Sequence, residues 1–104
     1  MKTSEIVAEF REQIQELYGA RLKDLILYGS FARGTETEAS DIDLAVVLRG
    51  EVNPADEIDR MIDIVTDLNL EHNVLISVYP VSEEDYSSLN SPILMSLRRE
   101  GVSV

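Results

Sequence analysis

Residues 29–44 read GSFARGTETEASDIDL and lie between two apolar runs. The run before them, 24–28, is short and ends at a glycine, which is typical of a buried strand. The run 42–48 alternates around acidic positions at its start and is then continuously apolar, which indicates a second strand. The connection between them is about 13 residues, longer than a tight hairpin and long enough to carry a function. We therefore expect two strands joined by a polar, functional loop.

Helical patterns flank these two strands. Before them, apolar residues at helical spacing, with glutamates on the other side, predict a helix over about residues 4–18. After them, Asn53 is a typical N-cap and Pro54 a typical first residue of a second helix, which ends at 70–73. A capping box at 82–85 predicts a further helix start.

The C-terminal third adds a strand and a last helix. Residues 74–79 are rich in β-branched residues and predict a third strand, which Pro80 stops. Ser91–Pro92 begins the last helix, Gly101 ends it, and 102–104 form either a short edge strand or a tail. The order predicts an α+β (α/β two-layer) fold: a small mixed sheet of about three strands, with helices packed mainly on one face.

Composition restricts the class of protein and its partners. The chain has 104 residues, so we expect a single domain over 1–104. A net charge of −11 argues against nucleic-acid partners and anionic membranes. The chain has no cysteine, and its one histidine, His72, is expected to cap a helix or face solvent. It has neither a bilayer-spanning apolar stretch nor a signal peptide, so we expect a cytoplasmic protein.

Gly29 and Ser30 form a candidate phosphate-binding turn. They follow a buried strand and precede a possible helical turn, where backbone N–H groups are free to bind an anion. Glycine lets the backbone approach the ligand closely, and the serine hydroxyl adds a donor. Taken alone, a Gly-Ser pair after a strand is more often only a turn.

Asp41 and Asp43 form a candidate cation site. Residues two apart on a strand point to the same side of the sheet, so these carboxylates lie together. Two carboxylates on one face repel each other unless a cation lies between them, and oxygen ligands suit Mg²⁺ or Mn²⁺. A lone Asp-x-Asp is usually a strand edge or an Asx-turn. Here, however, the predicted strands place the pair beside the Gly-Ser turn, which predicts a metal–nucleotide site.

The spacing of these residues resembles the signature of the minimal nucleotidyltransferases (MNT) of the DNA-polymerase-β-like superfamily. More narrowly, it resembles the MNT proteins of HEPN–MNT toxin–antitoxin pairs. The resemblance implies that Gly29 and Ser30 hold the β and γ phosphates of a nucleoside triphosphate, with help from Arg33. It also implies that Asp41 and Asp43 bind divalent cations and are the catalytic residues, with ATP as substrate.

One family feature is missing from the sequence. Members of the superfamily commonly carry a third carboxylate on a neighbouring strand, where it binds metal and deprotonates the attacking hydroxyl. The predicted third strand has no acid, and Ser77 is its internal hydroxyl besides Tyr79. Glu71, which precedes that strand, is the candidate substitute. The departure leaves open a binding module with a degenerate active site.

An acidic ladder follows the second long helix. Four acids recur every four residues and so lie along one helix face, and two more add to its start: Asp59, Asp63, Asp67 and Glu71, preceded by Asp56 and Glu57. This face is either solvated or a docking surface for a basic protein.

The resemblance favours transfer of AMP from ATP to a hydroxyl of a HEPN-type protein partner, with the chain as antitoxin. The alternative is neutralisation of that partner by contact alone. A small-molecule nucleotidyltransferase fits less well, since such enzymes generally add a second domain. Tyr28 and Phe31 flank the glycine turn and are expected to pack in the core rather than stack on a base. A homo-oligomer is compatible with the sequence.

Overall fold

A computed structural model describes residues 2–37 and 40–104 of the chain. These residues form five helices and four strands, with a short 3₁₀ turn at Gly19–Arg21. Of the helices in this described part, none combines the length and apolar character that crossing a bilayer requires. The elements, in chain order, are α1 (Lys2–Tyr18), β1 (Leu22–Tyr28), α2 (Ser30–Arg33), β2 (Ile42–Leu48), α3 (Pro54–His72), β3 (Ile76–Ser82), α4 (Glu83–Ser88), α5 (Pro92–Glu100) and β4 (Val102–Ser103).

The strands form one mixed sheet in the order β3-β2-β1-β4. β1 pairs antiparallel with β2 and with β4, whereas β3 runs parallel to β2. The mixed sheet and the α+β class are confirmed, but the expected count of about three strands is one too low. The fourth strand is the two-residue β4, which pairs with Ile26 and Leu27. Its shortness explains why the sequence did not separate an edge strand from a tail.

The sheet buries apolar residues on both faces. The two long helices, α1 and α3, cover one face, where Phe10, Ile14 and Met61 are fully buried against Leu44. This agrees with the expectation that helices pack mainly on one face. The short α5 covers part of the other face through Leu94 and Leu97, which pack against Ile26, Ala45 and Val47. Successive side chains of β2 point to opposite faces of the sheet, so its continuously apolar sequence contributes to the core on both faces.

The predicted starts of α3, α4 and α5 are confirmed by side-chain caps. The Asn53 side chain accepts a hydrogen bond from the Asp56 N–H at 3.3 Å. Ser82 and Ser91 cap α4 and α5 in the same way. Each cap satisfies a backbone donor that has no partner within the helix. Because these caps are local, the sequence predicted them well.

The bounds of the third strand differ from the expectation. β3 begins at Ile76 rather than Val74, and it continues through Pro80 to Ser82. β3 lies at the sheet edge, and alternate residues of an edge strand turn their N–H groups outward. The outward N–H of Ile76 donates to the Asn69 side chain at 2.9 Å. Pro80 stands four residues later in the same outward set, so it interrupts no bond of the sheet.

A buried carboxylate joins α3, α1 and the 3₁₀ turn at the end of the sheet where β1 begins. Glu57, on α3, is only 4% exposed, and its Oε1 accepts a hydrogen bond from the Tyr18 hydroxyl at 2.8 Å. Arg21 donates to its Oε2 at 3.2 Å. Burial and the nearby Glu57 carboxylate both raise the pKa of Tyr18. The acidic pattern at the start of α3 predicted an exposed Glu57 and gave no sign of this network.

Candidate active site

The Gly-Ser turn connects β1 to the single helical turn α2. Gly29 has φ +74° and ψ −152°, a conformation that residues with a side chain rarely adopt. The Arg33 N–H donates to the Gly29 carbonyl at 3.2 Å, which closes the turn. The first N–H groups of α2 have no partner within the helix, as at any helix start. Ser30, the first residue of α2, therefore stands where the sequence predicted a phosphate-binding turn.

Gly29 and Asp43 are in direct contact. A Cβ built on Gly29 would overlap the carboxylate oxygen Oδ2 of Asp43. Only a residue without a side chain leaves room for that carboxylate, and this requirement adds to the positive φ. The glycine turn and the Asp-x-Asp motif, separated in sequence, are therefore parts of one site.

Three strands place a row of side chains across the floor of the site. Asp43 on β2 lies opposite Tyr28 on β1 and Ser77 on β3 in the pairing register. Paired residues share a face of the sheet, so the three side chains lie on the face that α5 partly covers. Asp41, two residues before Asp43, is exposed just outside the strand.

The charges of the site interact with one another. Burial raises the pKa of Asp43, the negative charge of Asp41 raises it further, and Arg33 partly opposes the shift. Burial also raises the pKa of Tyr28 to about 12, with smaller contributions from Asp43 and Tyr79. Tyr28 is thus a neutral hydroxyl at physiological pH. The repulsion between the two carboxylates is what a divalent cation with oxygen ligands would relieve, so this donor set fits such an ion.

A groove of about 350 Å³ opens beside Gly29, between α2 and α5. Ile93 and Ser96 form its α5 wall, and Arg33 lies at its rim, where Nη1 is 3.5 Å from Glu100 Oε2. A larger cavity of about 430 Å³ lies on the other side of α2 against α1, but it is apolar and, unlike the groove, is lined by neither Gly29 nor Arg33. The groove beside Gly29 is therefore the one that belongs to the site.

No third carboxylate joins the pair within residues 2–37 and 40–104. Ser77 lies beside Asp43 in the register, on the neighbouring strand where the family resemblance predicted an acid. Glu71, the candidate substitute, instead contacts His72, its Oε2 lying 2.9 Å from the imidazole Nε2. The same nitrogen is 3.3 Å from Glu9 Oε2 on α1. His72, the last residue of α3, thus contacts two carboxylates. The sequence had predicted that its side chain caps the helix or faces solvent.

The sequence predicted only part of the role of Tyr28 and gave no indication of Ser96 and Glu100. Tyr28 and Phe31 pack against the core as predicted, on opposite faces of the sheet. The sequence did not show that Tyr28 is also the partner of Asp43. Ser96 and Glu100 carried no signal either, because the return of α5 to the groove depends on tertiary packing.

Comparison with known proteins identifies relatives of the chain. Residues 7–96 match the family described as "Nucleotidyltransferase domain". A Methanocaldococcus jannaschii protein named "putative protein adenylyltransferase" is 39% identical over 84 residues, covering 81% of this chain and 78% of that protein. A second protein of the same name and organism is 34% identical over 77 residues, covering 74% of this chain and 77% of that protein.

Two solved structures share the fold. One is a chain from the crystal structure of a toxin–antitoxin with AMP-PNP, which has a TM-score of 0.62 and 18% identity, covering 90% of this chain and 68% of that chain. The other is a nucleotidyltransferase structure from Sulfolobus solfataricus, named as putative, with a TM-score of 0.53 and 20% identity, covering 97% of this chain and 83% of that chain. At these identities the likeness concerns the fold.

Proposed function

The chain belongs to the nucleotidyltransferase domain family, and on this basis we propose that it transfers AMP from ATP to a hydroxyl of a protein partner. In this proposal the chain is the antitoxin of a HEPN-type toxin, and a toxin hydroxyl is the acceptor. The observation that carries the proposal is the contact between Gly29 and the Asp43 carboxylate, which joins the phosphate-binding turn to the carboxylate pair. The names of the curated relatives support a protein acceptor.

Each residue of the site has a role in this reaction. The N–H groups at the start of α2 and the Ser30 hydroxyl hold the β and γ phosphates, and Arg33 contributes positive charge at the rim. Asp41 and Asp43 would hold divalent cations, Mg²⁺ or Mn²⁺. Cations bound there would neutralise charge on the phosphates as pyrophosphate leaves. The acceptor oxygen bonds to the α-phosphorus, the bond to the β-phosphate oxygen breaks, and the hydroxyl proton is released to water.

A transfer assay with labelled nucleotide tests this proposal. The protein is incubated with α-labelled ATP, Mg²⁺ and the purified product of the gene next to its own. We expect label on that product, and we expect Asp41→Asn and Asp43→Asn to abolish it. The matched control is Asp85→Asn, an exposed acid on α4 outside the site, which leaves labelling unchanged. If no label appears with the wild type, or if the site variants label as well as the control, the enzymatic proposal is wrong.

A second candidate function is neutralisation of the partner by contact alone. Ser77 favours it, because this serine lies beside Asp43 where the family commonly has an acid, and a hydroxyl is a poor base and a weak metal ligand. Ser77→Asp separates the two candidates. If the missing carboxylate limits an active enzyme, this variant transfers AMP faster than the wild type. A protein that acts by contact neutralises its partner equally well as Asp41→Asn, Asp43→Asn or Ser77→Asp.

A further inference from the structure

The side of α3 that points away from the sheet is not covered by any of the elements that the structure describes. Met61, Val65 and Leu68 bury the other side of this helix. Asp59, Ile62, Asp63, Asp67 and Leu70 are all exposed, and they define what we call the outer face of α3. A 19-residue helix with one free side is a large, regular surface.

Among the described residues, no counter-ion lies beside the aspartates of the outer face. Within the described part of the chain, the ion pairs of α3 belong to Glu57 and to His72, which contacts Glu71 and Glu9. No described cationic side chain pairs with Asp59, Asp63 or Asp67. Like charges spaced four residues apart on a helix repel one another. A cationic surface placed against them would relieve this repulsion.

The outer face also exposes two large apolar side chains. Leu70 is 79% exposed and Ile62 is 48% exposed. A purely solvated acidic face has no need of them, and burying such side chains is favourable. The combination is complementary to an amphipathic segment that carries Lys or Arg together with leucines. It does not suit a nucleic acid, which shares the negative charge of this face.

The C-terminal end of the outer face leads directly to the candidate active site. α3 ends at His72, and after three intervening residues the chain enters β3 at Ile76. The carbonyl of Leu75, itself 56% exposed, accepts a hydrogen bond at 2.9 Å from the N–H of Ile42. Ile42 stands between Asp41 and Asp43. A partner seated near Leu70 is therefore at the same end of the sheet as the carboxylate pair.

We propose that the outer face of α3 is the docking surface for a basic amphipathic helix of the protein partner, which it holds at the sheet end that carries Asp41 and Asp43. The inference rests on the proposed function in one respect, namely that the partner is a protein. It goes beyond it because it assigns the recognition of that partner to residues outside the active site.

A binding experiment with matched variants tests the docking surface. The probe is a synthetic 20-residue peptide with a net charge of about +6, whose leucines recur at helical spacing. A scrambled peptide of the same composition controls for charge alone. The affinities of both peptides are measured by titration calorimetry against the full chain. The variants are Asp63→Asn/Asp67→Asn and Leu70→Ser on α3, and the matched control is Glu84→Gln/Asp85→Asn, which removes the same charge from α4.

The expected result is specific to α3. Each α3 variant weakens binding of the amphipathic peptide by about tenfold, which corresponds to about 1.4 kcal/mol, whereas the α4 control changes it little. The scrambled peptide binds weakly to all of them. If the α3 and α4 variants lose equal affinity, or if the two peptides bind equally, the attraction is general and the docking surface is wrong.

The same peptide separates this inference from the proposed function. Asp41→Asn and Asp43→Asn are expected to bind the peptide like the wild type, because the carboxylate pair lies outside the outer face. If AMP transfer is absent but peptide binding still depends on α3, the proposed function fails and the docking surface stands. If transfer occurs and the α3 variants transfer to the protein partner at the wild-type rate, the docking surface fails and the proposed function stands.

Discussion

Replacing Gly29 by alanine tests the contact on which the site depends. At φ +74° and ψ −152°, Gly29 is in a region that is essentially restricted to glycine, where a side chain costs about 3 kcal/mol. The added Cβ would also overlap the Asp43 carboxylate, so that carboxylate has to move. We expect Gly29→Ala to lower the free energy of unfolding by about 3 kcal/mol or more in urea titrations.

A second glycine supplies the matched control. Gly34 also has a positive φ, +73°, but a Cβ there meets no atom of the described residues within 4 Å. Gly34→Ala should therefore cost only the left-handed backbone, about 1–2 kcal/mol. The difference between the two variants isolates the special backbone of Gly29 and its contact with Asp43.

A double-mutant cycle then separates those two causes. Asp43→Ala removes the oxygen that the new Cβ would meet, so it should restore part of the stability lost in Gly29→Ala, by about 1 kcal/mol or more. The reasoning is refuted if Gly29→Ala and Gly34→Ala lose the same stability and Asp43→Ala restores none. In that case Gly29 would be an ordinary turn residue and the contact would carry no constraint.

Three further variants test other parts of the molecule. Tyr18→Phe removes the hydrogen bond to Glu57 and should cost about 1 kcal/mol at pH 7. The folded state raises the pKa of Tyr18, so the wild type's advantage over this variant is fully present below pH 10 and should shrink as pH rises above it; an advantage that grows there would contradict the assignment. Asp63→Asn relieves two like-charge contacts on α3 and should raise the free energy of unfolding by about 0.4–1 kcal/mol in urea, whereas a loss would mean that the aspartate has a structural partner. Glu100→Gln frees Arg33 from its ion pair and should tighten ATP binding about twofold to fivefold by calorimetry; weaker binding would show that the pair positions the arginine.

The sequence predicted the parts of the fold that depend on local chemistry. The caps at Asn53, Ser82 and Ser91 are side-chain bonds to the next turn, so they can be identified without knowing the fold. The strand over 42–48 was predicted to be buried because its sequence is almost continuously apolar, and β2 does lie in the core. The sequence also predicted that the glycine turn and the carboxylates lie side by side, because the end of β1 pairs with the start of β2.

The sequence was misleading where tertiary position decides the outcome. Pro80 is a strand breaker by its local chemistry, but at the outer edge of the sheet its missing N–H removes no bond. Glu57 was assigned to an exposed acidic group, although Tyr18 and Arg21 reach it from distant parts of the chain and bury it. His72 contacts Glu9, which is 63 residues away. No local pattern could have predicted these contacts.

The position of Ser77 shows what the structure added to the site. From the sequence, Ser77 was only the internal hydroxyl of the predicted third strand besides Tyr79, and its position relative to the carboxylate pair was open. The parallel register now pairs Ser77 with Asp43 directly. The Ser77→Asp variant therefore tests whether the two carboxylates are enough for AMP transfer or whether a third increases its rate.

The most direct test of the candidate site is the affinity for ATP with and without a divalent cation. ATP is polyanionic and the site contains two carboxylates, so binding should require Mg²⁺. We predict that calorimetry finds ATP binding at least about tenfold tighter with Mg²⁺ than in EDTA, and that Asp41→Asn/Asp43→Asn loses this dependence. Equal affinity in Mg²⁺ and EDTA, or an unchanged Mg²⁺ dependence in the double variant, would contradict the assignment of these carboxylates to a metal–nucleotide site.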